Sequence, residues 1–147
     1  MVRITAAGSL AVILLGTFGA LASERFGFPY SSLTIVSLLI YVVVGVAVGR
    51  WAARHKRNAA LSGIASGAIV GFVGETIGWA IASAIGPGLP PPGATPALLV
   101  GAAVFAILVA AIVAILGSVT SAVIFRAAGT RRATQPEFEV EAPEVKP

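Results

Sequence analysis

The chain contains 147 residues, of which 57% are hydrophobic and 11% are charged, and it has a formal net charge of +4 at pH 7. This composition excludes a soluble single domain, because a water-soluble chain of this length needs many more polar residues to cover its core. The lack of cysteine and the single histidine, His55, exclude thiol catalysis, disulfides and a metal site built from cysteines or several histidines.

Four runs with few or no charged residues lie between charged or proline-containing breaks, at residues 4–23, 33–51, 59–85 and 97–125. A helix needs about 20 apolar residues to cross a bilayer, and each run reaches about that length. Lipid admits only helices or closed barrels, and these runs lack the alternating polarity of barrel strands. We therefore predict an all-α integral membrane protein in which residues 1–126 form a four-transmembrane-helix bundle.

The first span also has features of a secretory signal peptide. Arg3 precedes an apolar stretch, and Ala20-Leu21-Ala22 fits the A-x-A pattern of a cleavage site. Cleavage there would leave three spans. Retention is favoured, because the apolar run is as long as a span and a single arginine is a weak basic region. The orientation of the remaining spans is the same in either case.

A basic connection follows the second span, and another basic region follows the fourth. The first contains Arg50, Arg54, Lys56 and Arg57, and the second contains Arg126, Arg131 and Arg132. Short loops rich in lysine and arginine stay in the cytoplasm, so we predict a multi-pass protein of the bacterial inner membrane with both termini cytoplasmic. We expect these side chains to contact anionic lipid headgroups and not nucleic acid, because topology and lipid account for their charge.

Small residues recur at helical spacing in the second, third and fourth spans. In the third span they are Gly63, Gly67, Gly71, Gly74 and Gly78, and in the second they are Ser37, Gly45 and Gly49 in one row with the larger Tyr41. At 100° per residue the five glycines of the third span fall within a stripe about 80° wide. Helices in lipid associate through close backbone contact, so we expect another backbone along this stripe. It belongs either to this chain or to a partner, which includes a second copy.

Glu75 is the one carboxylate in the third span. It lies 11 residues before Gly86, or about 16 Å along the helix axis, so we place it near the bilayer midplane. A charge at that depth is costly and no Lys, Arg or His lies within a span to pair with it, so we expect a protonated carboxyl facing a neighbouring helix. Thr17 and Ser37 are possible hydrogen-bonding partners, and Trp79, one turn along, offers an aromatic face to a cation.

The connection from residue 86 to residue 96 contains five prolines, and we expect a stiff, irregular link between the last two spans. The fourth span follows it with a row of small residues comprising Ala103, Ala106, Ala110, Ala114, Gly117 and Ser121. Beyond it, residues 127–147 contain three prolines and four glutamates, which predicts a disordered cytoplasmic tail.

The chain also shows weak internal repetition. Thr17-Phe18-Gly19 in the first span matches Thr76-Ile77-Gly78 in the third, and the arginine-containing ends of the second and fourth spans are alike. This pattern is compatible with two parallel copies of a helical hairpin. Chance similarity between helices rich in small residues accounts for it equally well.

No catalytic motif, cofactor-binding motif or metal-ligand cluster is present in the sequence, so we expect a non-enzymatic protein without a cofactor. The small-residue rows favour a structural or interaction subunit of a homo-oligomer or larger membrane complex. The alternative is a small proton- or cation-coupled transporter or channel that works through Glu75.

Overall fold

The computed structural model of the chain describes residues 1–27, 29, 32–86 and 95–133, and the side chains of residues 130–133 lie outside that description. Residues 87–94 of the predicted proline-rich connection (86–96), residues 134–147 of the predicted tail (127–147) and the side chains of Arg131 and Arg132 are therefore outside the described residues. The part of the predicted tail that is described, residues 127–133, is helical. Within them the protein is all-helical. The helices are α1 (Val2–Phe26), α2 (Leu33–Arg54), α3 (Ala59–Val73), a π-helical turn (Gly74–Gly78), α4 (Trp79–Ile85) and α5 (Pro96–Ala133).

Because α3, the π turn and α4 form one continuous helical stretch, four helices are long and apolar enough to cross a membrane. The prediction of four such helices is confirmed. Helix α1 is longer than the predicted first span at both ends, and it contains the Ala20-Leu21-Ala22 tripeptide. Helix α5 continues to Ala133, beyond the predicted end of the fourth span at Phe125.

Local sequence accounts for where the helices begin and end. The Asn58 side chain accepts hydrogen bonds from the backbone N–H groups of Ala60 and Leu61, at 3.0 and 3.2 Å, and so caps the start of α3. Helix α1 stops at Gly27, whose φ of 66° is in the left-handed region that glycine adopts without a steric cost. At the start of α5, Thr95 accepts from the N–H of Leu98 and Pro96 takes the first helical position.

The four long helices alternate in direction. Helices α1 and α3 begin at the end of the bundle where α2 and α5 finish, because Thr5 contacts Ser66 and the Arg54 guanidinium lies 5.5 Å from the centre of the Phe125 ring. We call this end the basic end. Alternation of this kind follows from any four consecutive antiparallel helices, so it does not test the predicted hairpin duplication.

Helix α5 packs between α2 and α3 through small residues on all three helices. A methyl group added at Gly67 would lie 2.7 Å from the Ala110 carbonyl oxygen, and one added at Gly45 would lie 2.5 Å from that of Ala114. Such distances leave no room for a side chain, so the helix backbones are in direct contact. Gly63 and Gly71 meet α5 in the same way, as does Gly49 on α2.

Hydroxyl groups reinforce these contacts with hydrogen bonds between helices. Ser118 on α5 donates to the Ala59 carbonyl oxygen at 2.9 Å, and Ser121 donates to the Val46 carbonyl oxygen at 3.0 Å. On the other side of the bundle, the Thr5 hydroxyl donates to the Ser66 hydroxyl at 3.0 Å. All three bonds lie in the half of the bundle nearest the basic end.

The π turn interrupts the third long helix between two glycines. The N–H of Trp79 bonds to the carbonyl oxygen of Gly74, five residues earlier, instead of four as in an α-helix. The extra residue in this turn rotates α4 relative to α3. Before the turn Gly63, Gly67 and Gly71 face α5, whereas Gly74 faces Val12 of α1 and the Tyr41 hydroxyl, and the Gly78 backbone lies against Gly16 of α1.

Candidate functional site

Glu75 lies on the π turn, half-buried, and it lines a partly open cleft of about 350 Å³ between the helices. This volume is within the range of small-molecule pockets in proteins. A π turn inside an α-helix is often found at a functional site, because the wide turn displaces side chains from the regular helical rows. Glu75 is thus the acidic residue at the point where the third long helix departs from regular geometry.

All four long helices contribute to the wall of the cleft. The described residues that line it are Val12, Leu15, Gly16, Leu33, Thr34, Ser37, Leu38, Tyr41, Gly74, Glu75, Gly78, Trp79, Phe105, Ala106 and Val109. The cleft lies away from the basic end, between α1 and α5, which do not pack against each other. The first half of α5 is largely exposed on its other faces.

The structure brings three of the four predicted site residues together. Glu75, Trp79 and Ser37 all line the cleft. Thr17 does not line the cleft. Its hydroxyl donates a hydrogen bond of 2.9 Å to the carbonyl oxygen of Ile13 on its own helix. A threonine within a helix commonly satisfies its hydroxyl in this way, and this local bond competes with any bond to Glu75.

Tyr41 is a residue of the cleft that the sequence reasoning did not assign to Glu75. Its side chain is only 6% exposed, and a methyl group added at Gly74, next to Glu75, would lie 3.5 Å from its hydroxyl oxygen. The sequence signal was its position, because Tyr41 interrupts the small-residue row of α2 one turn after Ser37. Thr34, one turn before Ser37, also lines the cleft.

The Glu75 carboxyl has no cationic partner within the described lining of the cleft. None of the lining side chains that the structure describes is a lysine, arginine or histidine, and no described residue donates a hydrogen bond to the Glu75 carboxyl. The hydroxyl groups of Tyr41, Ser37 and Thr34 are the other polar side chains in that lining. The cleft therefore offers acceptor oxygens to a ligand, and one of these groups can carry a full negative charge.

Aromatic side chains complete the wall. Trp79 and Phe105 line the cleft together with Tyr41, and they remain 43% and 68% exposed. Faces of aromatic rings attract cations, and quaternary ammonium groups in particular bind among them. Among the described residues there is no group of three or more His, Asp or Glu side chains that could hold a metal ion.

The predicted lipid-facing basic residues gather at the opposite end of the bundle. The described ones, Arg50, Arg54, Lys56, Arg57 and Arg126, are all exposed there. Between them the rings of Trp51 and His55 stack with centres 4.9 Å apart, and His55 Nδ1 lies 2.9 Å from the Trp51 carbonyl oxygen. The acids in the described residues, Glu24 and Glu75, lie away from this end. These five basic side chains and the carboxyl cleft are therefore separated along the bundle, whereas Arg25 lies at the other end of α1.

Comparison of the chain with protein-family models, with curated proteins and with solved structures found no match.

Proposed function

We propose that the protein is a multi-pass integral membrane protein of the bacterial cytoplasmic membrane. Support comes from large apolar side chains that lie exposed around the bundle, such as Ile35 at 68% and Leu116 at 63%. Exposed apolar surface of this extent is unfavourable in water, where each Å² costs ~25 cal/mol, and is neutral in lipid. The clustering of arginine and lysine at one end supports a cytoplasmic position for that end and for both termini.

Within that setting, we propose that the cleft around Glu75 binds a lipophilic organic cation and exchanges it for a proton. The observation that carries the proposal is the Glu75 carboxyl in a partly open cleft, with hydroxyl and aromatic neighbours and with no cationic side chain in the described lining. An intramembrane carboxyl without a protein partner is a functional group by default, because keeping a charge there without a role is costly.

The chemistry of the lining selects the ligand class. An anion would meet the Glu75 carboxyl without any positive group in the described lining. A neutral apolar ligand would leave that carboxyl without a partner and so lose binding free energy. A cation with apolar substituents meets the carboxylate, the ring faces of Tyr41, Trp79 and Phe105, and aliphatic side chains, and each contact favours it.

Exchange of a proton for a cation needs only one acidic side chain in the cleft, and Glu75 supplies it. When the cleft is empty, the Glu75 carboxyl holds its proton, because no charge stabilises the carboxylate. When a monovalent cation enters, the O–H bond breaks, the proton passes to water in the cleft, and the carboxylate remains to pair with the cation. Release of the cation reverses the step. One proton then moves for each cation, which is the requirement for coupling transport to a proton gradient.

The structural-subunit hypothesis has lost part of its basis. It depended on small-residue rows that are free to meet another chain, whereas Gly45 and Gly49 of α2 and Gly63, Gly67 and Gly71 of α3 all contact α5 of the same chain. Substitution at Gly71 would therefore disturb the bundle itself and would not report on assembly with a partner. For this reason we rank cation binding first.

Binding can be measured by isothermal titration calorimetry of the full chain in mild detergent. The probe is benzyltrimethylammonium, and the matched uncharged probe is neopentylbenzene. We expect the cation to bind and the uncharged probe to bind at least about tenfold more weakly, since the charge interaction in a half-buried site exceeds ~1.4 kcal/mol. We expect Glu75→Gln to remove this preference and Glu24→Gln, which changes an exposed acid outside the lining, to preserve it.

Two further readouts separate binding from transport. In unbuffered solution, binding to the wild-type protein should release one proton per cation, and binding to Glu75→Gln should release none. In proteoliposomes, a pH gradient should drive uptake of the cation by the wild-type protein and by Glu24→Gln only. Equal binding of both probes to the wild-type protein would refute cation recognition, and binding without uptake would refute transport.

A further inference from the structure

Two grooves run along α2 toward the basic end, one on each side of a single row of side chains. The row consists of Val42, Val46 and Arg50, spaced four residues apart, and all three line both grooves. The first groove, of about 510 Å³, also contains Ile4, Val43, Ala47, Trp51, Arg54 and His55. The second, of about 750 Å³, also contains Val113, Leu116, Gly117, Thr120, Ser121, Ile124, Phe125 and Ala128.

Each groove is apolar along most of its length and cationic at its end. Arg50 is shared, Arg54 closes the first groove, and the Arg54 guanidinium lies over the ring of Phe125, which belongs to the second. This cation–π contact places the Arg54 guanidinium next to the second groove, whose lining already includes Arg50. The grooves therefore converge on a pair of arginines, and the acids Glu24 and Glu75 of the described residues lie away from them.

The dimensions agree with one leaflet of a bilayer. From Val42 to Arg50 the axis of α2 rises by about 12 Å, and one leaflet contributes about half of the roughly 30 Å hydrocarbon thickness. An arginine at the end of such a groove lies at the depth of the headgroups. Trp51, which stacks on His55 beside Arg50, has the position of an interfacial aromatic residue.

We propose that these two grooves and the arginine pair form a binding site for one anionic diacyl phospholipid of the cytoplasmic leaflet. One acyl chain occupies each groove, astride Val42 and Val46, and the phosphate is held by Arg50 and Arg54. The shared row accounts for two chains and one headgroup, because it lies between the grooves and ends in Arg50, which lines both, while Arg54 of the first groove lies over Phe125 of the second. The site rests on the proposed membrane insertion and is independent of cation binding at Glu75.

The test is native mass spectrometry of the full chain released from detergent with added lipid. The lipids are phosphatidylglycerol and phosphatidylcholine with the same acyl chains, together with the single-chain lysophosphatidylglycerol. We expect the wild-type protein to retain one phosphatidylglycerol in preference to the other two. We expect Arg50→Gln to weaken that binding about fivefold, the order of the factor that one basic side chain contributes at a headgroup. Arg57→Gln, which removes an equal charge outside both grooves, should leave the preference intact.

A second pair of variants tests the grooves themselves. Thr120→Phe fills part of the second groove from an exposed position, and Val123→Phe places the same side chain on α5 outside both grooves. We expect the first to weaken binding of phosphatidylglycerol and the second to leave it unchanged, with both proteins as stable as wild type.

Three results would overturn the proposal. The first is equal retention of phosphatidylglycerol and phosphatidylcholine by the wild-type protein, because the arginines would then not select an anionic headgroup. The second is equal binding of lysophosphatidylglycerol, or competition by soluble glycerol 3-phosphate, because either would remove the role of the paired grooves. The third is a dimer that Thr120→Phe abolishes, because a second copy of the chain would then be the occupant. A protein that fails to enter the membrane would refute the membrane assignment instead.

Discussion

Replacement of Gly67 by alanine tests whether α3 and α5 are held together by direct backbone contact. The added methyl group would lie 2.7 Å from the carbonyl oxygen of Ala110, 2.7 Å from Cβ of Ala114 and 2.9 Å from Cα of Ala111. Ordinary van der Waals contact begins at 3.4 Å, so α3 must retreat from α5 by about 0.7 Å, the difference between these distances. Two of the three contacted atoms belong to the backbone and cannot rotate away.

The magnitude follows from the number of contacts that such a retreat opens. If ~30 atom pairs at ~0.15 kcal/mol each lie across the α3–α5 face, a gap of this size forfeits roughly a quarter to a half of their energy, or about 1–2 kcal/mol. Overpacked cores lose a similar ~1–3 kcal/mol. In a helix alanine is also more favourable than glycine by ~1 kcal/mol. A control variant with the same replacement is therefore needed to separate this gain from the cost of overpacking.

Gly101→Ala provides the control, because it makes the same change on α5 where nothing lies within 4 Å of the added methyl group. Thermal unfolding of the two variants in the same detergent should differ by roughly 3–9 °C, with Gly67→Ala the less stable, since ~1 kcal/mol corresponds to about 3 °C for a chain of this size. If Gly67→Ala unfolds at the same temperature as Gly101→Ala, the backbones are not in contact and the packing argument is wrong.

Two other predictions concern single hydroxyl groups. Thr5→Val keeps the shape of the side chain but removes its hydrogen bond to the buried Ser66. We expect this variant to lower the free energy of unfolding by about 0.6–2 kcal/mol, measured by denaturant titration in detergent. An unchanged free energy would mean that this hydrogen bond adds no stability. Thr17→Val removes only a hydrogen bond to Ile13 on the same helix, so we expect this variant to bind benzyltrimethylammonium as tightly as the wild-type protein does in calorimetry. Weaker binding by the variant would mean that Thr17 contributes to the site of Glu75.

Much of the architecture follows from composition and spacing. The four long helices were predictable because each apolar run is bounded by a charged residue, a proline or a helix-capping residue such as Asn58. The contact of Gly63, Gly67 and Gly71 with another backbone was predictable because their spacing places them on one face. Which helix would meet that face was not predictable, because a row of glycines is complementary to any small-residue row.

The π turn was not predicted from the sequence, and it changes the orientation of the residues that follow it. A helical wheel assumes 100° per residue throughout, so it places Gly74 and Gly78 in the same stripe as Gly67. In the structure a methyl group added at Gly74 would meet Val12 of α1, and one added at Gly78 would meet nothing within 4 Å, so neither glycine faces α5. Glycines four apart on either side of a polar residue gave a weak indication of irregular geometry, but regular helices in lipid contain the same pattern for packing.

The candidate site was predictable in its acid and less so in its neighbours. Glu75 stood out because a carboxylate in an apolar span needs a reason, whereas the partners depended on depths counted along separate helices. Such counting gave Thr17 and Ser37 as possible hydrogen-bonding partners of Glu75. Ser37 lines the cleft with Glu75, whereas the Thr17 hydroxyl bonds to its own helix, which counting along helices cannot detect. Tyr41 was assigned to packing because it shares a row with glycines, although its hydroxyl lies beside Gly74.

The helices pack more closely near the basic end of the bundle than around the cleft, and the side chains of α5 account for this difference. Toward the basic end α5 presents Ala110, Ala114 and Ser118, and these small residues let the backbones of α2 and α3 contact the backbone of α5. Toward its start it presents Phe105 and Val109 to the cleft, and larger side chains hold helices apart. The proposed cation exchange requires the walls of the cleft to separate, and we expect this movement away from the end where the helix backbones are in contact. Under that proposal the small-residue rows fix the bundle at the basic end, and Glu75 lies where we expect the helices to separate.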